Sequence, residues 1–223
     1  ATDGVVIAAS MGFFALTVLM VFLLARRQYS LAVAAVAAVI YSTQFEAVKS
    51  SLTGTSQTMA ALMMLLFWYV LTAAGGRSPR QYVKAGLLFG LCYLTHYSTM
   101  LLLVPVLIYI RFAAATRKAL SITVFVAAAL AVCSPWLVRN VLAMHNPFFT
   151  MSQYDIFINT VFYPNYDVHR TFASVPSPFL FAMTHVFQFG PKLLEGLGQM
   201  YWQAPALSGP YLLPFFLLSL FAK

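Results

Sequence analysis

Charged side chains are scarce in this sequence. They make up 8% of its 223 residues, against about a quarter in ordinary soluble domains, while 61% of the residues are hydrophobic. That combination excludes a soluble fold, because a chain of this size has too little interior to hide so much apolar surface. Acidic residues are the rarest charges, and Asp3, Glu46, Asp155, Asp167 and Glu195 are all there are. Cysteine is nearly absent. Cys92 and Cys133 lie inside apolar runs with no metal-ligand or redox spacing, which excludes a disulfide scaffold and makes them small core residues. His145, His169 and His185 also lack metal-ligand spacing, so no metal site is expected and nothing supports a divalent ion. The chain has no initiator methionine, and its first apolar run has neither the basic start nor the small-residue cleavage site of a signal peptide. The expectation is a fragment of a longer chain whose first run is a true span. There is no internal repeat and no inverted pair of broken helices of the transporter kind.

What is present is a series of long apolar blocks. Val5 to Ala25 would rise about 31 Å as a helix, enough to cross the hydrocarbon core, before it meets Arg26 and Arg27. A second block, Leu31 to Val48, is rich in Ala and Val and runs into the polar stretch Lys49 to Thr58. A third, Met59 to Ala74, ends in Gly75, Gly76, Arg77, Ser78, Pro79 and Arg80, a helix stop and basic turn. The block Ala85 to Ile110 reads either as one tilted span or as a hairpin of two short helices hinged at His96, Tyr97 and Ser98. The positive-inside rule favours the hairpin. It puts Arg26, Arg27, Arg77, Arg80, Lys84, Arg111, Arg117, Lys118 and Lys223 inside and leaves Lys49, Arg139, Arg170 and Lys192 outside. Singly placed cations at the ends of apolar runs set topology, so the net charge of +8 does not imply nucleic acid.

A run from Ala119 to Val132 continues through Ser134, Pro135 and Trp136, and the last run is Tyr211 to Phe221. Between them, residues 144–209 are crowded with aromatics, prolines and polar groups. A structureless loop of that length is unusual, so a small extracytoplasmic cap with interfacial helices is expected. The sequence thus predicts an all-α, multi-pass integral membrane protein of about seven transmembrane segments. Residues 1–143 form a helical core, 144–209 the cap and 210–223 a final span.

Ser134-Pro135-Trp136-Leu137-Val138-Arg139-Asn140, followed by Asn146-Pro147-Phe148, has the look of a membrane boundary. Proline frees backbone groups, tryptophan anchors at headgroup level, and the arginine beyond is placed to meet a phosphate. An interfacial anchor with a snorkelling arginine fits the same residues equally well on physics alone. Together with Gly86-Leu87-Leu88-Phe89-Gly90-Leu91-Cys92-Tyr93-Leu94-Thr95-His96 and Leu103-Val104-Pro105, this run resembles the GT-C glycosyltransferases. The branch it is most similar to contains the protein O-mannosyltransferases and the bacterial aminoarabinose and lipopolysaccharide sugar transferases.

The resemblance implies a helical membrane fold, and a sugar taken from a polyprenyl-phosphate donor on the extracytoplasmic face of a cell membrane. Membrane lipid and lipid-linked sugar are the partners it implies. The acceptor would be a lipid, glycan or protein. It also implies an essential carboxylate in a first outer loop, which this chain is expected to lack, together with the first helix. Asp3 is the one acidic residue near that point. A second acidic position of the family falls near Thr53 to Gln57, where this sequence has no carboxylate.

Arg139 and Lys49 are the expected donor-phosphate ligands. Glu46 lies three residues from Lys49 on one helix face, as a surface pair or as an orienting group. His96 sits at a hinge at membrane depth, where its ring needs a hydrogen-bond partner whether or not it serves a site. Trp136, Asn140, Asn146, Tyr154, Asp155, His169 and Arg170 complete the set of residues expected to line the site. Two other readings stay open. A transporter or flippase core would need polar groups along a path, and His96 alone lies deep in a span. A non-catalytic membrane subunit binding partner helices would account for the missing carboxylates.

Overall fold

In the computed structural model, residues 2–73, 79–114, 117–150, 157 and 177–208 are described. Among them are nine α-helices, one 3₁₀ turn and no strand. The chain divides into two compact units, Ala1–Ala143 and Met144–Lys223.

In the first unit, α1 (Thr2–Gln28) has Asp3 in its first turn and Arg26 and Arg27 in its last, each charge opposing the helix dipole. Ser30 caps α2 (Leu31–Thr43), its hydroxyl accepting the Val33 N–H. At Gln44 the backbone turns extended, and α3 (Phe45–Leu52) leaves at 56° to α2. The second apolar block is therefore broken where a continuous span was expected. The cause is local: the hydroxyls of Ser42 and Thr43 both donate to the Val39 carbonyl, and Thr43 also reaches Ile40, diverting acceptors that a continuing helix would use.

α4 (Gln57–Ala73) runs parallel to α1. Ser10 and Thr58 join their hydroxyls at 2.9 Å near the start of both helices. At the other end the Arg27 guanidinium donates to the carbonyls of Tyr69 and Thr72, at 3.2 and 3.1 Å, and lies over the Tyr69 ring. Last-turn carbonyls have no partner inside their own helix, so this arginine closes α4 from outside.

α5 (Pro79–Thr95) stops at His96. A 3₁₀ turn (Tyr97–Leu102) then leads into α6 (Leu103–Ala113), which points back the way α5 came. The reversal is visible in the packing. Trp68 of α4 meets Tyr109 of α6 at 5.9 Å, and Ile110 and Ala114 join Leu71, Tyr82 and Ala85 in one buried cluster. A continuous helix from Ala85 to Ile110 would have put Ile110 about 37 Å from Ala85. The block is a hairpin.

α7 (Lys118–Met144) runs parallel to α5, and the two helices touch backbone to backbone through glycine. A methyl group on Gly86 would overlap the Phe125 carbonyl oxygen, and one on Gly90 would come within 2.7 Å of Val132 Cβ. The Cys133 thiol donates to the Gly90 carbonyl at 3.7 Å. Phe67, Phe89 and Phe125 fill the space where α4, α5 and α7 meet.

These directions bring Arg26, Arg27, Arg80, Lys84, Arg111, Arg117 and Lys118 to one end of the unit. The α3–α4 loop, the His96 turn and the end of α7 lie at the other. By length and composition α1 and α7 can cross a membrane, and the bent α2–α3 pair makes a third such element. α4 and the 97–113 segment are shorter apolar helices. The final run, Tyr211 to Phe221, lies outside the described residues. In the second unit α8 (Pro178–Thr184) is capped by Ser177 and leads into α9 (Val186–Ser208).

Candidate functional site

α7 passes through Pro135 without ending. Proline has no N–H to give the Ala131 carbonyl, and the Ser134 hydroxyl donates to that carbonyl instead, at 2.9 Å. The helix therefore continues for two further turns and carries Trp136, Arg139 and Asn140 on one stretch. The Arg139 guanidinium carbon sits 4.6 Å from the centre of the Trp136 ring, and one guanidinium N–H reaches the Asn140 side-chain oxygen at 3.3 Å. Asn140 is fully buried, whereas Arg139 and Trp136 are exposed. Indole and amide thus fix the plane of the guanidinium, and its other N–H donors meet no acceptor among the described residues. A charged, oriented and open fork suits a phosphate or carboxylate.

Lys49 stands on α3 with its ammonium 3.9 Å from Glu46 and over the Phe45 ring. Both side chains are largely in the open, at 58% and 41% exposure, so the pair holds each partner only weakly and leaves Lys49 available. Asp3 is exposed in the first turn of α1. One turn further along, Val6 packs against Gly54, whose φ of +67° suits glycine and turns the α3–α4 loop over the start of α1.

His96 has an extended backbone, its ring nitrogen Nδ1 lies 2.7 Å from the Ser98 hydroxyl, and Tyr97 stacks on it. With Ser98, Ala60, Ala61, Met64 and Leu101 it borders an open depression of about 460 Å³ between α4 and the 3₁₀ turn. Asn146 lies near the start of the second unit. Its side-chain oxygen accepts the Phe148 N–H and its carbonyl the Phe149 N–H, a turn that follows the left-handed His145 closing α7. Tyr154, Asp155, His169 and Arg170 lie outside the described residues.

The structure therefore joins Trp136, Arg139 and Asn140 into one cluster and Glu46 with Lys49 into another, each on its own helix. Sequence reasoning missed the polar knot beside the second cluster. The buried Ser10 hydroxyl meets Thr58 and the Ser50 carbonyl, and Ser50 in turn donates to Gln57. Ser10 and Thr17, seven residues apart and so on one face of an otherwise apolar run, were the available signal; both are buried. Among the described residues no group of three His, Cys, Asp or Glu side chains could hold a metal ion.

A family model described as dolichyl-phosphate-mannose-protein mannosyltransferase matches residues 2–138. No curated protein and no solved structure matches the chain. The match runs from the first turn of α1 through Pro135 and Trp136 and stops one residue before Arg139. It takes in α1 to α6 and most of α7, more than half of the chain, which belongs to the dolichyl-phosphate-mannose-protein mannosyltransferase family within the GT-C glycosyltransferases.

Proposed function

We propose that this protein is the part of a membrane glycosyltransferase that receives a polyprenyl-phosphate sugar at the extracytoplasmic face and passes the sugar to a lipid, glycan or protein hydroxyl. The family match over residues 2–138 carries this reading. The acceptor oxygen attacks the anomeric carbon as the bond from that carbon to the phosphate oxygen breaks. A carboxylate takes the hydroxyl proton, and the polyprenyl phosphate leaves with the bonding electrons. Charge grows on the departing phosphate, and Arg139, held on Trp136 and Asn140, is the group oriented to meet it, with Lys49 as a second cation.

The test is label transfer from a radiolabelled polyprenyl-phosphate sugar in membranes carrying the full-length protein. Arg139→Ala lowers transfer by about a hundredfold if it forfeits one charge-assisted contact to the leaving group. Arg139→Lys recovers little, since an ammonium has neither the fork nor the flat face that stacks on indole. Unchanged donor binding and turnover in Arg139→Ala would remove Arg139 from the site. A second reading, a non-catalytic membrane subunit, is favoured by the absence of a carboxylate from Thr53 to Gln57. Absence of transfer by the wild-type protein, with stable capture of a partner membrane protein, would select it.

A further inference from the structure

We propose that the basic end of the first unit, where α5 and α7 begin side by side, binds the phosphate of an anionic phospholipid headgroup. Gly86 and Phe125, which meet across the seam, are each the eighth residue of their helix, so the two helices start level. The first N–H groups of a helix have no partner within it, and the aligned peptides put partial positive charge there. Neither helix has an acidic residue in its first turn. Arg80 is instead second in α5, Lys118 opens α7, and Arg117 stands just before it. Cations at a helix start oppose the dipole, and Arg80 shares a face with Lys84, four residues on, where like charges repel. The side chains of these four cations have no ion-pair or hydrogen-bond partner among the described residues. The carboxylates of this unit, Asp3 and Glu46, stand at its other end.

A buried hydroxyl points the same way. Tyr82 lies one turn before Gly86, on the α5 face turned to α7, and is 1% exposed; its hydroxyl has no hydrogen-bond partner among the described residues. Side chains on a helix lean toward its N-terminus, so this hydroxyl is directed to the notch between the two helix starts. Lys118, two turns before Phe125, is on the α7 face turned to α5 and is half-buried. A phosphate in the notch accepts from the hydroxyl, the ammonium and the free backbone N–H groups together.

The surface beside the notch selects a lipid over a free anion. Further along the helices Val83 and Leu87, on the face that carries Arg80 and Lys84, are exposed, as is Leu120 of α7. Cations at the end of an apolar surface match a headgroup with its acyl chains, and basic pockets between transmembrane helices favour anionic headgroups. The proposal is independent of the sugar-transfer reading, whose cations Arg139 and Lys49 lie at the other end of the unit.

The test purifies the intact protein in micelles that contain equal amounts of phosphatidylglycerol and phosphatidylcholine, and counts the retained lipids by native mass spectrometry. The wild type keeps phosphatidylglycerol in preference to phosphatidylcholine. Lys118→Gln and Arg80→Gln each lower that preference about fivefold. Tyr82→Phe lowers it too, without lowering the melting temperature in phosphatidylcholine alone, because it removes only an unpaired hydroxyl. Arg26→Gln, which takes a cation from the same end but from α1, leaves the preference unchanged. An equal loss in Arg26→Gln and Lys118→Gln would reduce the site to the diffuse field of the basic end and overturn the proposal, as would equal retention of the two lipids by the wild type. Competition by free glycerophosphoglycerol as strong as by the lipid would leave a site for a free anion, which overturns it too.

Discussion

Adding one methyl group at Gly90 should separate two helices. An ideal Cβ there would stand 2.7 Å from Val132 Cβ and 2.9 Å from the Ala129 carbonyl oxygen, whereas non-bonded carbons rest at about 3.5–4.0 Å. α5 and α7 must part by about 1 Å, a gap that forfeits a quarter to a half of each dispersion contact along the seam. Such overpacking costs about 1–3 kcal/mol, and because the obstacle includes backbone the upper end applies; the better helix propensity of alanine returns about 1 kcal/mol. The net loss is about 2 kcal/mol, which for a chain of this size lowers the melting temperature by about 4–8 °C. Gly86→Ala should cost at least as much, because its methyl group would overlap the Phe125 carbonyl itself. The protein contains its own reporter: Cys92 and Cys133 are buried beside this seam, so a maleimide dye that fluoresces on reaction records thermal opening in detergent. Gly12→Ala, with nothing within 4 Å of its methyl group, is the control. If Gly86→Ala and Gly90→Ala melt with Gly12→Ala, the close approach of α5 and α7 is wrong.

Ser10→Ala leaves the buried Thr58 hydroxyl without its 2.9 Å partner and should cost about 1–2 kcal/mol, while Thr58→Val added to it restores most of the loss; equal melting of single and double variants would refute the pairing. Ser134→Ala uncovers the Ala131 carbonyl beside Pro135 and should cost about 1 kcal/mol in the same assay, a loss that Ser134→Thr largely spares. Glu46→Gln removes an exposed pair and should change stability by less than about 0.5 kcal/mol; a larger fall would mean that Lys49 is held more tightly than its 3.9 Å separation indicates.

The parts of this fold legible in the sequence are those set by composition along one helix. Runs of apolar residues gave α1, α4 and α7 their places, and the spacing of cations chose the hairpin at His96 over a single span, a choice the contact of Trp68 with Tyr109 now carries in three dimensions. The bend at Gln44 was harder to see, since the Ala- and Val-rich run reaches Val39 without a break and the bend beyond it depends on how the hydroxyls of Ser42 and Thr43 spend their hydrogen bonds. The Ser10–Thr58 pair and the Arg27 closure of α4 were not legible, because each joins residues more than forty positions apart. At the candidate site, residue types pointed to Arg139 but not to what holds it.

What holds it depends on the proline that precedes it. In a helix interior proline normally costs about 3 kcal/mol, by removing an N–H and crowding the preceding turn. Had α7 ended at Pro135, Arg139 would sit on a loose segment with its rotamers unconstrained. Ser134 instead takes up the freed Ala131 carbonyl, the helix runs on to Met144, and the buried Asn140 fixes the rotation of that extension. Trp136 and Arg139 are then three residues apart on one face, the spacing that lets the guanidinium lie on the indole. A cation ordered in this way has already lost the rotamer entropy that an unsupported arginine would lose on meeting a phosphate, about 0.5–1.5 kcal/mol for a side chain of this kind. Ser134 and Asn140 therefore bear on donor affinity without touching the donor. Asn140→Leu should raise the donor Kd by about three- to tenfold while Arg139→Ala in that background adds less than it does alone. Fully additive losses would show that Asn140 does not act through the arginine.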